Sequence, residues 1–338
     1  MEKKYELTND VINYNGRTLY RIRALRDFSD VKAGDLGGYI QTEDNLSHEG
    51  YAWVYREAKV CDDACVFENA SISDIAKVFG FAEVSGNACV NNNAKVYDNA
   101  EVYGDARVYG NAIVYEFANI LGRAVIGEDA EIHGSAVVRD NAEVCGNSEI
   151  HGRAVVRDNA EVCGNSEVCG RVAVSGRAHI VGDVKVKNRA DYIVFKNFWS
   201  RVRYITWTRS NNKWNAGCFH GTGEELINKA YADSEKSGRE YERVVRYVES
   251  ILADEEKDDK KIESEADMKE EIVTTIKTEM VQAKNLLCYI RNMIVSKEAQ
   301  KLKPEDPATF CELLAFYEEI ERHNNEVKKI ASRLGMSD

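Results

Sequence analysis

The sequence predicts a mainly β protein: a parallel β-helix of about eight triangular coils, closed by a small α/β cap and followed by a helical hairpin. Three observations carry this. From Ala52, steps of six residues reach Ala190 through 24 positions, of which 20 are alanine, two serine (Ser148, Ser166) and two valine (Val172, Val184). Two residues after each, 23 of the 24 positions are valine or isoleucine, Tyr192 being the exception. Finally, EIHGSAVVRDNAEVCGNS at 131–148 is followed at once by EIHGRAVVRDNAEVCGNS at 149–166, differing only at Ser135 against Arg153.

The period explains itself through strand geometry. Residues i and i+2 of a strand point to one face, so the Ala and Val of each A-x-V hexad turn inward and the residue between them outward. The Gly, Asn and Asp that follow tolerate positive φ and make the turn. Three strands and three turns form one coil of 18 residues, which is the length of the near-perfect duplication. The 24 hexads therefore predict eight coils over Ala52–Phe195, a prism roughly 38 Å long at about 4.8 Å per coil.

With these residues in view, the chain resembles the hexapeptide-repeat, left-handed parallel β-helix superfamily typified by trimeric acyltransferases. The left hand comes from that resemblance; the general rule for parallel crossovers is right-handed. The NAxVYG wording is more narrowly similar to repeat proteins of phages and gut bacteria. So are the run Asp35, Leu36, Gly37, Gly38, Tyr39, the run Glu43, Asp44, Asn45, Leu46, Ser47, and WNAGCFHGTGEEL at 214–226. The resemblance implies an architecture and a homotrimer, and for a phage-encoded protein a bacterial host cell.

Both ends of a solenoid expose unpaired edges and need covering. Residues 1–51 read as an N-terminal β cap, with YELT, TLYRIRAL and GGYIQT as strands and turns at Asn15-Gly16 and Gly34. Residues 196–253 read as an α/β cap: strands about a turn at Asn211-Asn212, then a helix from Thr222, whose T-x-x-E with Glu225 is a capping box. That helix is expected to break near Ser237-Gly238 and resume from Arg239 to about Leu252. The charged segment 254–271 reads as a solvated linker or an extended helix surface. Residues 272–338 then form the hairpin. Its stripes are Ile272, Ile276, Met280, Leu287, Ile290, Ile294 and Phe310, Leu313, Tyr317, Ile320, Val327, Ile330, Leu334, with Pro304 and Pro307 at the turn.

The net charge of −12 argues against nucleic acid, whose phosphates need a basic surface. The composition offers no apolar stretch for a membrane span. Nine cysteines in no paired spacing, and an N-terminus without an apolar leader, predict a reducing, cytoplasmic setting; Cys145 and Cys163 read as inert surface thiols.

Writing the sequence in rows of 18 sorts outward residues into columns. One corner column runs Cys61, Phe79, Tyr97, Tyr115, His133, His151, Cys169, Lys187, and its neighbour Asp63, Phe81, Asn99, Phe117, Ser135, Arg153, Arg171, Arg189. Tyr97, Tyr115, Phe117, Arg153, Arg171 and Arg189 are thus candidate ligands for a flat anion, through stacking and guanidinium contacts; packing against a neighbouring subunit is the plainer alternative. His133 and His151 are candidate catalytic bases if the chain shares the acyltransferase chemistry of the superfamily, with acyl-CoA as donor and no other cofactor. Duplication alone also explains the pair, and no metal is assigned, because no third ligand is evident. Gly221, Thr222 and Gly223 before a helix offer anion-binding N–H groups, with structural capping as the alternative. Val137, Val155 and Ala173 form an apolar outward column flanked by Arg139 and Arg157, the expected subunit contact. Together these favour a non-enzymatic trimeric binding or scaffold protein over an acyltransferase, since 24 uninterrupted hexads leave no loop to close over a substrate. A third possibility is a sequestering protein holding a nucleotide-like anion between subunits. A protein partner on the C-terminal helices is also expected.

Overall fold

A computed structural model describes residues 2–197, 203–295 and a set of helical positions between 315 and 332. The chain forms two compact units, Met1–Val245 and Arg246–Asp338.

Every predicted hexad from Ala52 to Val186 gives a two- to four-residue strand, β4 (Trp53–Val54) through β26 (Lys185–Val186). These strands stack in parallel with partners 18 residues apart, as in Val138↔Val156↔Val174 and Ile132↔Ile150↔Val168. The result is a three-faced parallel β-solenoid of about eight turns. Its first face has 11 strands, its second eight and its third seven. Along the stack N–H groups donate to carbonyls of the adjoining coil, for example Val137 N to Ala154 O at 2.9 Å, and others close their own turn, as in Ala142 N to Arg139 O at 3.2 Å. The inward Ala and Val side chains fill the prism and are buried. The two serines at inward positions stay satisfied: Ser148 and Ser166 each donate to a carbonyl of their own turn, Cys145 O and Cys163 O, at 2.7 Å, as a buried hydroxyl must.

The corners hold the residues with positive φ. Glycine is favoured where turns stack closely: a Cβ on Gly86 would lie 2.6 Å from Gly104 N. Glu68, Glu116 and Glu128 also take this conformation, and each carboxylate accepts the glycine N–H of the next turn at 2.7 Å. The bond offsets the strain a side chain meets there. Beside them run amide ladders that end in an acid. Asn69 donates to Asn87 and Asn87 to Asp105; Asn93 to Asn111 and Asn111 to Asp129; Asn147 to Asn165 and Asn165 to Asp183, all at 2.7–3.1 Å.

The end coils lack a neighbouring coil on one side, so backbone groups there are left for the caps to meet. At the N-terminal end, β1 (Tyr5–Tyr14), β2 (Arg17–Ala24) and β3 (Leu36–Ile40) extend the first face, and β3 already pairs in parallel, Ile40↔Val60. Buried Lys4 donates to Ala52 O at 2.8 Å and the Tyr5 hydroxyl to Leu46 O at 2.7 Å. At the other end the cap both accepts and donates: Thr206 Oγ1 accepts His179 N, Ser210 Oγ accepts Lys185 N and Asp191 Oδ2 accepts Lys187 N, at 2.6–2.9 Å, while the Tyr192 hydroxyl donates to Ala173 O at 2.9 Å and Asn215 Nδ2 to His179 O at 3.1 Å.

The predicted last hexad, Ala190–Phe195, lies outside the prism. Ala190 is exposed, a short 3-10 turn covers Arg189–Asp191, and Tyr192 begins β27 (Tyr192–Asn197) of a separate antiparallel sheet. The break in the Val/Ile pattern at Tyr192 was its signal. That sheet continues with β28 (Arg203–Thr208), β29 (Lys213–Ala216) and β30 (Phe219–Gly221). Helix α1 (Gly223–Asp233) follows with the Thr222/Glu225 capping box formed.

The helix break falls at Ser234 rather than at Ser237-Gly238, because Ser234 Oγ accepts Ser237 N at 3.1 Å and starts the next helix. Gly238 lies inside that helix, where any Cβ would collide with the Tyr231 ring. Helix α2 (Glu235–Val295) is 61 residues long and runs unbroken through 254–271. Of the two alternatives for that segment, helix surface is the one observed, and no new helix starts at 272. Pro304, Pro307, Phe310, Leu313 and Leu334 lie outside the described residues.

Candidate functional site

The corner between the first and third faces stacks five rings. Phe79, Tyr97, Tyr115, His133 and His151 sit with successive centroids 4.7, 5.1, 4.8 and 5.1 Å apart and planes within 10° of parallel. The stack follows from the coil, which sets each side chain above its counterpart at the strand spacing. His133 Nε2 lies 2.9 Å from Glu149 Oε1, and His151 Nε2 3.5 Å from Glu167 Oε1. The Lys185 ammonium, 2.7 Å from Glu167, holds that carboxyl below its ordinary range. Burial, and then a hydrogen bond to Glu131, push the Tyr115 phenol up. Burial and Glu167 raise the Cys169 thiol.

The structure thus sets carboxylates beside the histidines, where the sequence showed no third ligand. His133, Glu149 and His151 form one group, and His151, Glu167 and Cys169 another, each with ligand atoms within 4.8 Å of one another. Every carboxylate lies two residues before the histidine or cysteine of its own strand, hence on the same outward face. The signal was present in the rows of 18, one column away. Zinc takes nitrogen ligands at about 2.0–2.1 Å, so two histidines sharing an ion must converge, whereas these rings are stacked 5.1 Å apart with both nitrogens turned to carboxylates. The arrangement is a hydrogen-bonded ladder.

Phe117 and Phe81, on the neighbouring corner column, are 65% and 62% exposed. Arg153 and Arg171 are exposed further along the column, and Arg189 lies in the 3-10 turn beyond the last coil. The column therefore spans the solenoid's length instead of enclosing one ligand. Val137, Val155 and Ala173 do align, as neighbours on the third face, half-buried, with Arg139 and Arg157 beside them. Arg139 lies 3.8 Å from Asp140.

At Gly221, Thr222 and Gly223 the helix N-terminus is filled by the chain itself. Glu225 Oε2 accepts Thr222 N at 2.7 Å and its hydroxyl at 3.0 Å, and a Cβ on Gly223 would strike Val245. The capping alternative is the one the contacts bear out. His220 is likewise occupied, with Nδ1 2.7 Å from Asn215 Oδ1.

A groove the sequence did not signal opens where the second face meets the antiparallel cap. It has a volume of about 800 Å³, and Glu161, Arg177, His179, Tyr204, Cys218 and Lys229 contribute to its lining. Arg177 lies over the Tyr204 ring and Lys229 over Phe219, each 5.4 Å from the centroid. His179 Nε2, 3.0 Å from Glu161, draws that carboxyl below its usual range. Asn215 fixes the cap to the solenoid by donating to His179 O at 3.1 Å.

One cysteine expectation is overturned. Cys145 and Cys163 form a disulfide with Cα atoms 4.7 Å apart. Outward side chains 18 residues apart stack at strand spacing, within the usual range for such a bond. A disulfide does not normally persist in a reducing compartment, so the cysteines do not carry the cytoplasmic setting expected from them. Among the described residues no helix is long and apolar enough to cross a membrane.

Fold and ladder together define the class: a capped parallel β-solenoid. No family model matches the chain, and no curated protein matches it.

Proposed function

We propose that the chain works by binding and scaffolding rather than by turnover. The observation that carries this is the unbroken coil: strand pairs succeed one another from β4 to β26 with no inserted loop to close over a substrate. The histidines support the same reading. An acyltransferase base must reach a substrate hydroxyl, whereas His133, its side chain 19% exposed, lies between two rings and against Glu149. The apolar Val137/Val155 column supports association through the third face, in the homotrimer the resemblance implies. Met268, Ile272 and Val281, 48–58% exposed on α2, support a protein partner on that helix.

The groove favours a second reading, sequestration of a small flat anion. Arg177 and Lys229, each over an aromatic ring, offer charge and stacking to such a molecule. Two measurements on the purified protein separate these readings from catalysis. With acyl-CoA and an acceptor alcohol, thiol release is expected to stay at the blank rate; release that His133→Ala abolishes would establish the acyltransferase instead. Native mass spectrometry with added nucleotide is expected to show an unmodified adduct that Arg177→Ala with Lys229→Ala removes if the groove sequesters anions. An unchanged adduct would exclude the groove.

A further inference from the structure

The outward column of the first face reads Lys59, Lys77, Lys95, Ile113, Glu131, Glu149, Glu167, each the strand neighbour of the next. Like charges directly opposed on adjacent strands destabilise a sheet, yet here lysines follow lysines and glutamates follow glutamates. Some of this charge is met within the chain. The Lys59 ammonium donates to Glu57 O at 2.9 Å and lies 5.9 Å from the Tyr14 ring, while Lys185 takes Glu167. Among the described residues, Lys77 and Lys95 make no ion pair with an acid.

Reflected about Ile113, the sequence of charges changes sign: lysines at Lys59, Lys77 and Lys95 fall on glutamates at Glu167, Glu149 and Glu131. We propose that the first face pairs with the first face of a second copy, solenoid axes antiparallel, about a twofold axis at Ile113. Two sheets meeting face to face have two ways to be related by a twofold. With axes parallel, every lysine meets a lysine. With axes antiparallel, Lys77 meets Glu149, Lys95 meets Glu131, and Ile113 meets Ile113. Because a twofold contact is self-complementary, each ion pair forms twice. The same rotation accounts for the corner columns. Tyr115 falls opposite Tyr115, Tyr97 opposite His133 and Phe79 opposite His151; further out, exposed Phe117 faces Phe117 and exposed Phe81 faces Arg153, a cation over a ring. A column aromatic in one half and basic in the other becomes complementary to itself once reversed.

The size is adequate. Six spacings of about 4.8 Å by a width of up to about 20 Å give near 600 Å² per copy, about 1,200 Å² for the pair, the lower end of stable interfaces.

Sedimentation equilibrium tests this, with circular dichroism as the check on folding. The wild-type protein is expected at twice the 38.1 kDa chain mass, or at six chains where the third-face trimer forms as well. Lys77→Glu with Lys95→Glu makes the four positions flanking Ile113 all acidic, and Glu131→Lys with Glu149→Lys makes them all basic. Each variant alone is expected to lose the dimer, and an equimolar mixture to regain it. Carbodiimide coupling of mixed isotope-labelled and unlabelled wild-type chains is expected to give Lys77–Glu149 and Lys95–Glu131 links between chains. A single-chain wild-type mass, a trimeric mass unchanged by the substitutions, or interchain links in any other register would overturn the proposal.

Discussion

Lys4 is the one lysine buried among the described residues, and it should give the fold a signature in pH. Its ammonium replaces a missing strand by donating to Ala52 O. Burial, and then Arg26, lower its pKa from 10.5 to about 8. Below pH 8 both folded and unfolded chains hold the proton. Between about 8 and 10.5 the unfolded chain keeps it and the folded chain has released it, so stability rises with pH across that window. The distance from 10.5 to about 8 sets an upper bound of roughly 3.5 kcal/mol. From about pH 9 the trend is opposed, because burial also raises the Cys61 thiol from 9.0 to about 11 and holds the Tyr5 and Tyr55 phenols above their usual range, and all three ionise more readily in the unfolded chain. Lys4→Met removes the titrating group and leaves Ala52 O unpaired, at a cost of about 1–3 kcal/mol, partly offset by the absent buried charge. Urea unfolding followed by circular dichroism from pH 7 to 9 should therefore show a midpoint that rises more steeply in the wild type than in Lys4→Met. Equal slopes in the two proteins would refute the assignment of Lys4 as a buried, titrating cap.

Removing 149–166 deletes one whole coil and should give a folded, soluble chain, whereas removing 149–160 turns everything beyond it by a third of a coil and should cost the C-terminal cap its seat; indistinguishable thermal melts would contradict the three-faced stack. Replacing Cys145 and Cys163 by serine should lower stability by up to about 3 kcal/mol for the 18-residue separation. The wild type in reductant should match that variant, and a denaturation midpoint unmoved by either change would argue against the bond.

The prism was legible because its rule is repeated at every coil: a small residue, an outward residue, a β-branched residue and a turn. The caps were not, since their contribution depends on which groups the stack leaves unpaired. Nothing local in Lys4, Tyr5, Thr206 or Ser210 marks them as partners of coil ends. The corner column was found, but Glu149 and Glu167 were missed, because each column was read alone while hydrogen bonds cross between columns. The groove joins Arg177 of the last coils to Tyr204 and Lys229 of the cap, a meeting that no spacing encodes. The unbroken course of α2 through 254–271 was left between two alternatives because a helix polar on all sides lacks the apolar stripe by which helices are recognised; ion pairs three and four residues apart, such as Lys257 with Asp254, support it instead.

That each end is closed by side chains meeting the backbone of a single coil has a consequence for how such a protein changes over generations. Each end reads only the coil it touches and is blind to how many lie between, so the molecule lengthens like a column of bricks, in steps of about 4.8 Å, without any redesign of plinth or capital. The twin segments 131–148 and 149–166 are one such brick laid twice. A partner bound along a face has no such indifference: one added coil displaces the midpoint of that face by half a step, about 2.4 Å. Length is therefore free at the ends and answerable only to whatever the sides must match.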